Sequence, residues 1–541
     1  MTMPVSAPRI ELGTHDVANQ PVPRAGRDLW SEDLMLQDHA TAHGAQLSSL
    51  AMAGASYGAA EQFEAAAEAR RDPPRLQLFD RAGRRLDEVA FNPGYHRMMD
   101  VAKSCGYASV AWEGRPGGHV THAAQVYMLA QVEPGVCCPM TMTYAAIPAL
   151  AADDRLSADW RPKLLSRSYD PSLRPVAHKA GATLGMAMTE KQGGSDVRAN
   201  TTRALPDGDH YRLTGHKWFC SAPMSDGFLT LAQAPGGLTC FLVPRWLEGE
   251  RNGIRLQRLK DKLGNQANAS SEIEYVDALA YRLGDEGAGV RTIIEMVHHT
   301  RLDTAMAPAG LMRAAITEAH WWVQGRSAFQ RRLIDQPLMR AVLADLALDT
   351  EGTLALGLMM AAAFDRADDD SRALARIGVA LAKYLGNKRC IPVIGEAMEV
   401  LGGMGYVEET PMPMLYREAP LNGIWEGSGN VICLDILRTL AREPRAGEVL
   451  AAVLDEARGG DRRYDAALEA HRARWPGLPP EAQARWYAES LATLLTAASL
   501  IRHAPAPVAE GYVTGRIAGD RGSLPGSVAD IDTDAILARL G

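Results

Sequence analysis

The 541-residue sequence predicts a mainly α-helical protein with a small antiparallel β domain inserted into its middle. Three observations carry that prediction. Alanine, leucine and methionine are abundant while Phe, Trp and Tyr make up only 6%, a bias towards good helix formers. Apolar residues recur with helical spacing before about residue 180 and after about residue 284. Between those limits the pattern shortens to strand-length runs bounded by Gly, Pro, Asn or Asp. The chain is too long for one hydrophobic core, so several domains are expected. An apolar share of 47% and a charged share of 23% fit a soluble globular chain, and the net charge of −8 gives no whole-molecule attraction to nucleic acid.

Residues 1–30, rich in Pro and polar residues, read as an irregular N-terminal arm. Residues 31–180 read as an N-terminal helical domain. Ser31-Glu32-Asp33 offers a helix start with acidic groups near the N-terminus. The stretch 54–71 is Ala/Glu-rich and amphipathic, and Asp72-Pro73-Pro74 ends it. The stretch 122–152 is apolar nearly all round, as in a buried helix pair. Residues 181–283 read as the β domain: Tyr211 and Leu213 alternate with polar neighbours, and Ile273 and Tyr275 share a face opposite Glu272 and Glu274. Residues 284–440 return to helix over about 290–326, 336–365 and 371–401, which suggests a four-helix bundle. Residues 441–541 read as an extra C-terminal, mostly helical domain with one clear helix over 480–502 and a loosely patterned remainder.

The seven cysteines include no Cys-x-x-Cys pair, which points to reduced thiols in a cytoplasmic protein and against a zinc site. Vicinal Cys137-Cys138 reads as small core residues. His298-His299 has no carboxylate or thiol at ligand spacing, so no metal is expected. The N-terminus lacks a basic segment followed by an apolar one, and the longest apolar run, about 354–364, is too short to cross a bilayer. No membrane association is expected.

Three stretches carry chemistry. The first, Met186 to Val197, enters as an apolar strand containing Met188 and ends in Gly193-Gly194-Ser195, a turn whose bare backbone approaches a ligand closely. Thr189 and Ser195 flank that turn with two hydroxyls. The second is Lys217-Trp218-Phe219-Cys220-Ser221. The third, Ile424-Trp425-Glu426-Gly427-Ser428-Gly429-Asn430, sets one carboxylate between a large aromatic and a Gly/Ser turn.

Together these stretches resemble the acyl-CoA dehydrogenase family of flavoproteins. Its members carry a Met-Thr-Glu…Gly-Ser-Asp run, then Lys-x-Trp-Ile-Thr, then Tyr-Glu-Gly-Thr, in the same order. Five strings, at 188–197, 215–219, 259–265, 396–403 and 424–430, are most similar to the DNA-alkylation-response branch of that family. The resemblance implies a helical, β and helical-bundle sandwich that binds FAD. It implies Glu426 as the base that takes the α-proton of an acyl-CoA, with its pKa raised by burial beside Trp425. A family subgroup takes its base from a Glu just before a bundle Arg; here that dipeptide is Thr300-Arg301.

For the flavin it implies Met186, Met188, Thr189, Gly194, Ser195, Phe219, Cys220, Ser221, Ile424, Trp425, Ser428 and Asn430. From a neighbouring subunit it implies Arg326, Phe329, Glu399, Gly402 and Gly403, hence a homo-oligomer, by family a tetramer. Glu399 stands where the family has Gln. Two functions follow. One is an alkylation-response flavoprotein with weak, isovaleryl-type acyl-CoA dehydrogenase activity, which binds double-stranded DNA, inactivates alkylating agents, or both. The other is a dedicated short- or branched-chain acyl-CoA dehydrogenase without DNA binding; the sequence leaves a flavoprotein electron acceptor open. For DNA, Arg458, Arg462, Arg463, Arg472 and Arg474 form a local group. After residue 440, however, twelve arginines and no lysine face fourteen carboxylates, and acidic residues are interleaved with the group.

Overall fold

The computed structural model describes residues 7–541. Seven helices and one hairpin build the N-terminal region: α1 (Leu34–Ala42), α2 (Leu47–Tyr57), α3 (Ala60–Arg71), the strands β1 (Arg75–Phe79) and β2 (Arg85–Ala90), then α4 (Pro93–Ser104), α5 (Gly118–Ala130), α6 (Pro134–Leu150) and α7 (Asp154–Leu164). Asp33 caps α1 by accepting from the Leu36 N–H. The single helix expected over 54–71 is two. The chain breaks at Gly58, where an added Cβ would lie 1.8 Å from the Arg27 carbonyl oxygen. The N-terminal arm crosses there, with Arg27 N–H on Gly58 O at 2.9 Å. The hairpin was read as helix. Leu76 and Leu78 in fact alternate with Arg75, Gln77 and Phe79, and Gly83 turns the chain at φ +79°.

The β domain holds β3 (Leu184–Ala187), β4 (Arg203–Asp207), β5 (His210–Ser221), β6 (Gly227–Ala234), β7 (Gly237–Pro244), the short ribbon β8 (Trp246–Leu247) and β9 (Glu250–Arg251), β10 (Ile254–Leu259) and β11 (Ser270–Leu283). Its main sheet runs β10-β11-β5-β4-β6-β3, and β7 pairs with both β6 and β11. Most pairs are antiparallel; β3 runs parallel to β6, a departure from the all-antiparallel expectation. Inward residues such as Leu213, Phe228, Phe241, Ile273 and Tyr275 form a core separate from the helical one.

The bundle is α8 (Gly289–Gly325), α9 (Pro337–Phe364) and α10 (Asp369–Val400), with the ribbon β12 (Ser327–Ala328) and β13 (Arg331–Arg332) linking the first two. Pro337 opens α9, and Asp368 caps α10 by accepting from Ser371 N–H at 2.8 Å. α11 (Met412–Glu418) and α12 (Gly429–Arg442) follow. At 28 residues, α9 is long and apolar enough to cross a membrane, contrary to the reading of its apolar run; 89% of its most apolar window is buried among the other helices. Burial, not length, makes it a core helix.

The C-terminal region is more helical than its pattern suggested: α13 (Pro444–Asp455), α14 (Arg462–Arg474), α15 (Ala484–His503), α16 (Ala506–Tyr512) and α17 (Thr533–Leu537). In α14 only Tyr464, Leu468 and His471 are buried, a narrow stripe masked by charge. These helices close onto α9 through ions: Arg516 meets Asp345 at 2.6 Å and Asp349 at 2.8 Å, and Arg539 meets Glu351 at 2.7 Å.

Candidate active site

The first two motif stretches are laced together in the β domain. Trp218 N–H donates to Thr189 O at 2.8 Å, so Thr189 and Trp218 stand side by side. Beneath them a buried ion pair joins Glu190 to Lys217 at 2.9 Å. Glu190 also accepts from the Thr201 and Thr202 amides and hydroxyls. Burial raises its pKa, but Lys217 and these donors outweigh it and hold the carboxyl well below the usual range. The sequence assigns neither residue of this pair a role; one opposite charge on each of two neighbouring motifs is the signal it offers.

Gly193 turns the chain at φ +141° and Gly194 follows, where an added Cβ would lie 2.4 Å from Thr189 Oγ1. Gly194 and Ser195 are exposed, and Phe219 keeps 48% of its surface open. Met186 and Met188 are half-buried against the helical core. Ser221 Oγ lies 3.1 Å from Ser270 Oγ. Cys220 is the exception among the expected contacts: the whole residue is sealed in the β core.

Glu426 lies on the loop between α11 and α12 at φ +56°, a conformation L-residues rarely adopt. Three helical side chains hold it. Thr300 of α8 donates its hydroxyl to Glu426 Oε2 at 2.7 Å. Arg301 Nε reaches the Glu426 carbonyl at 3.4 Å and its Nη1 reaches Asp435 of α12 at 2.7 Å. Lys383 of α10, buried, donates to the carbonyls of Asn422 at 2.8 Å and Gly427 at 2.9 Å, gripping both ends of the loop. Burial raises the Glu426 pKa; the Thr300 hydroxyl and the charges of Lys383 and Arg301 offset part of that rise. Burial also lowers Lys383 to about 7, against the pull of Glu426.

Cys138 of α6 connects the two halves of the site. Burial lifts its thiol to about 12, and both the Ser221 hydroxyl and the Glu426 carboxylate act on it. The Ser221 hydroxyl and the Glu426 carboxylate therefore both lie close to α6, and the space about that helix, between the β domain and the bundle, is the candidate crevice. Trp425 is half-buried and donates Nε1–H to Asn422 Oδ1 at 2.7 Å; Ile424 is 65% exposed. Ser428 is the N-cap residue of α12, yet its hydroxyl makes no cap bond. These features fit a flavin: an open aromatic face, a Cβ-free turn beside a hydroxyl, and an uncommitted helix N-terminus for a polar group.

Arg326, Phe329, Glu399, Gly402 and Gly403 do not join this crevice. Thr300 and the end of α8 are separated by roughly 37 Å of helix. Arg326 donates to Asn19 O at 2.8 Å, where the N-terminal arm crosses. Phe329 projects from the ribbon at 93% exposure, and Glu399, Gly402 and Gly403 are exposed at the same end of the bundle.

The C-terminal arginines are largely committed. Arg458 binds Asp455 and Glu469, Arg472 binds Asp455 at 2.9 Å, and Arg463 binds Asp461 at 2.6 Å. Arg474 lies 4.3 Å over Trp486, and Arg462 is exposed. The interleaved carboxylates seen in the sequence therefore neutralise three of the five cations.

Residues 19–171 match the adaptive response protein AidB N-terminal domain, 185–278 the acyl-CoA dehydrogenase middle domain, and 287–441 the acyl-CoA dehydrogenase C-terminal domain. The chain is 46% identical to AidB of Escherichia coli over 510 residues, covering 92% of this chain and 94% of that one. It is 33% identical to acyl-CoA dehydrogenase family member 11 of Caenorhabditis elegans, over 69% of this chain and 63% of the relative. The crystal structure of Caenorhabditis elegans ACDH-11 in complex with C11-CoA superposes with a TM-score of 0.84 at 26% identity, covering 95% and 94% of the two chains.

Proposed function

Because the chain belongs to the acyl-CoA dehydrogenase family as a close homologue of AidB, and is accordingly an FAD-dependent oxidoreductase, we propose that Glu426 is its catalytic base towards a short or branched acyl-CoA. The observation that carries this is the clamp on Glu426: a half-buried carboxylate on a loop fixed by Thr300, Arg301 and Lys383 from two bundle helices. Thr189, Gly194, Ser195, Phe219, Ser221, Ser428 and Asn430 would hold the flavin. FAD, when bound, supplies the hydride acceptor that no side chain provides. The raised pKa makes Glu426 a stronger base for the weakly acidic α-proton. At the position where a family subgroup carries its base, Thr300 instead donates to Glu426, which leaves one carboxylate to do the work. Anaerobic titration with a panel of acyl-CoAs, read by flavin absorbance, tests this. The wild type should bleach with its substrate. Glu426→Gln should keep the flavin and lose the bleaching; bleaching that survives removes Glu426 from the role.

A second copy of the chain completes the site in this reading. The far position of Arg326 and Glu399, with exposed Phe329, Leu338 and Tyr406 at that end of the bundle, supports a homo-oligomer, by family a tetramer. The match of residues 19–171 to the AidB N-terminal domain supports a part in the response to DNA alkylation, through duplex binding or inactivation of alkylating agents. Seven buried free thiols support a reducing, cytoplasmic location.

A further inference from the structure

We propose that a second cavity, between α4, the β1–β2 hairpin and the β domain, is a binding site for a small organic ammonium ion. The cavity has a volume of about 370 Å³, within the range of small-ligand pockets. It is lined by neither Glu426 nor Thr189, Phe219 or Ser221, and so is distinct from the crevice described above. Ala222 and Pro139, neighbours in sequence of Ser221 and Cys138, form its back wall, so the two sites stand back to back.

Two features of the lining point to a ligand. Four rings make an aromatic wall: Phe91 stacks on Tyr95 at 4.1 Å between centroids, and His96 stacks on Tyr169 at 5.9 Å. The second feature is charge. The lining carries the carboxylates of Glu88, Asp170 and Asp226 against one cation, Lys179.

Their partners sort these groups. Lys179 is spent on Asp226 at 2.6 Å, and Arg251 reaches Glu88 from outside the lining. Asp170 accepts from Ser172 N–H at 3.0 Å, from the Ser172 hydroxyl at 2.5 Å and from Ala180 N–H at 3.1 Å. Its nearest cation, Arg174, stands 4.0 Å away. Burial pushes the Asp170 pKa up, but those donors bring it below the ordinary range, so it is ionised at neutral pH. Burial lowers the His96 pKa, so that ring is neutral and repels no cation. His96 Nδ1 is paired with the Tyr169 hydroxyl at 2.8 Å, which fixes the ring. Aromatic rings with an ionised carboxylate suit an amine head attached to a flat or compact apolar body.

Calorimetric titration of the flavin-loaded protein with phenethylamine, and with 3-phenylpropionate as the anionic molecule of similar shape, tests the proposal. Phenethylamine should bind and 3-phenylpropionate should not. Asp170→Asn and Tyr169→Leu should each weaken the amine roughly tenfold, about one ion-pair or cation–π contribution. Circular dichroism and flavin content should match the wild type, which separates a lost site from a lost fold. Glu426→Gln should leave amine binding unchanged. Equal binding of the anion, no heat with the amine at millimolar concentration, or amine binding indifferent to both lining variants overturns the site. Competition by acyl-CoA that Glu426→Gln abolishes would assign the binding to the other crevice and overturn it as well.

Discussion

Glu426 is held at φ +56° by contacts from two bundle helices, and strain of about 1–3 kcal/mol of this kind persists only where the surroundings impose it. Thr300 and Lys383 both favour its ionised form. Thr300→Val removes the hydroxyl and should raise the Glu426 pKa further, because a hydrogen bond to the charged form is lost. The ascending limb of the pH profile for flavin reduction should move up accordingly; an unmoved limb would assign it to another group. The raised pKa has a second consequence. Where the folded pKa exceeds the unfolded one, folding takes up a proton, and stability is lost as pH rises through the folded value. Glu426→Gln, which cannot ionise, should therefore gain in melting temperature over the wild type as pH rises from about 4 to 8.

Among the elements, β3 and β5 depend on the Glu190–Lys217 pair. Lys217→Met strands a buried carboxylate and should cost about 3–5 kcal/mol by denaturant unfolding, with loss of flavin. The double variant Lys217→Met with Glu190→Gln should recover part of that loss, because no buried charge is left alone. A double variant no more stable than the single one would show that the pair acts through packing. The strand period made β5 and β11 readable, and caps and proline made α9 and α10 readable. The β1–β2 hairpin and the break at Gly58 were not. One is a short alternating run between helices, and the other exists because the N-terminal arm passes over that point.

The whole molecule is tied together by α9, whose acidic residues Asp345, Asp349 and Glu351 receive Arg516 and Arg539 from the C-terminal region. Arg516→Ala leaves two carboxylates buried without it and should destabilise by about 3–5 kcal/mol. Limited proteolysis should then cut after residue 440 first, while the flavin spectrum is unchanged. In the oligomer reading, Phe329→Ala together with Arg326→Ala should lower both the mass seen by light scattering and the retained flavin. DNA binding, if it runs through the C-terminal arginines, should fall with salt and with Arg462→Ala and Arg474→Ala, the two whose charge no carboxylate was found to take. A duplex shift insensitive to both would locate the contact elsewhere.

The three motif stretches, their order and the helical–β–helical layout were readable along the chain, because they rest on local spacing, and the family resemblance of those stretches pointed to Glu426. Contacts between distant residues were not. That Thr300 and Lys383 hold Glu426 and its loop, that Cys220 turns into the β core, that three C-terminal arginines are already neutralised and that Asp170 lines a second cavity all depend on segments brought together by the fold. Burial and pairing belong to the packed chain, and those two quantities decide which charged or polar group is left with work to do.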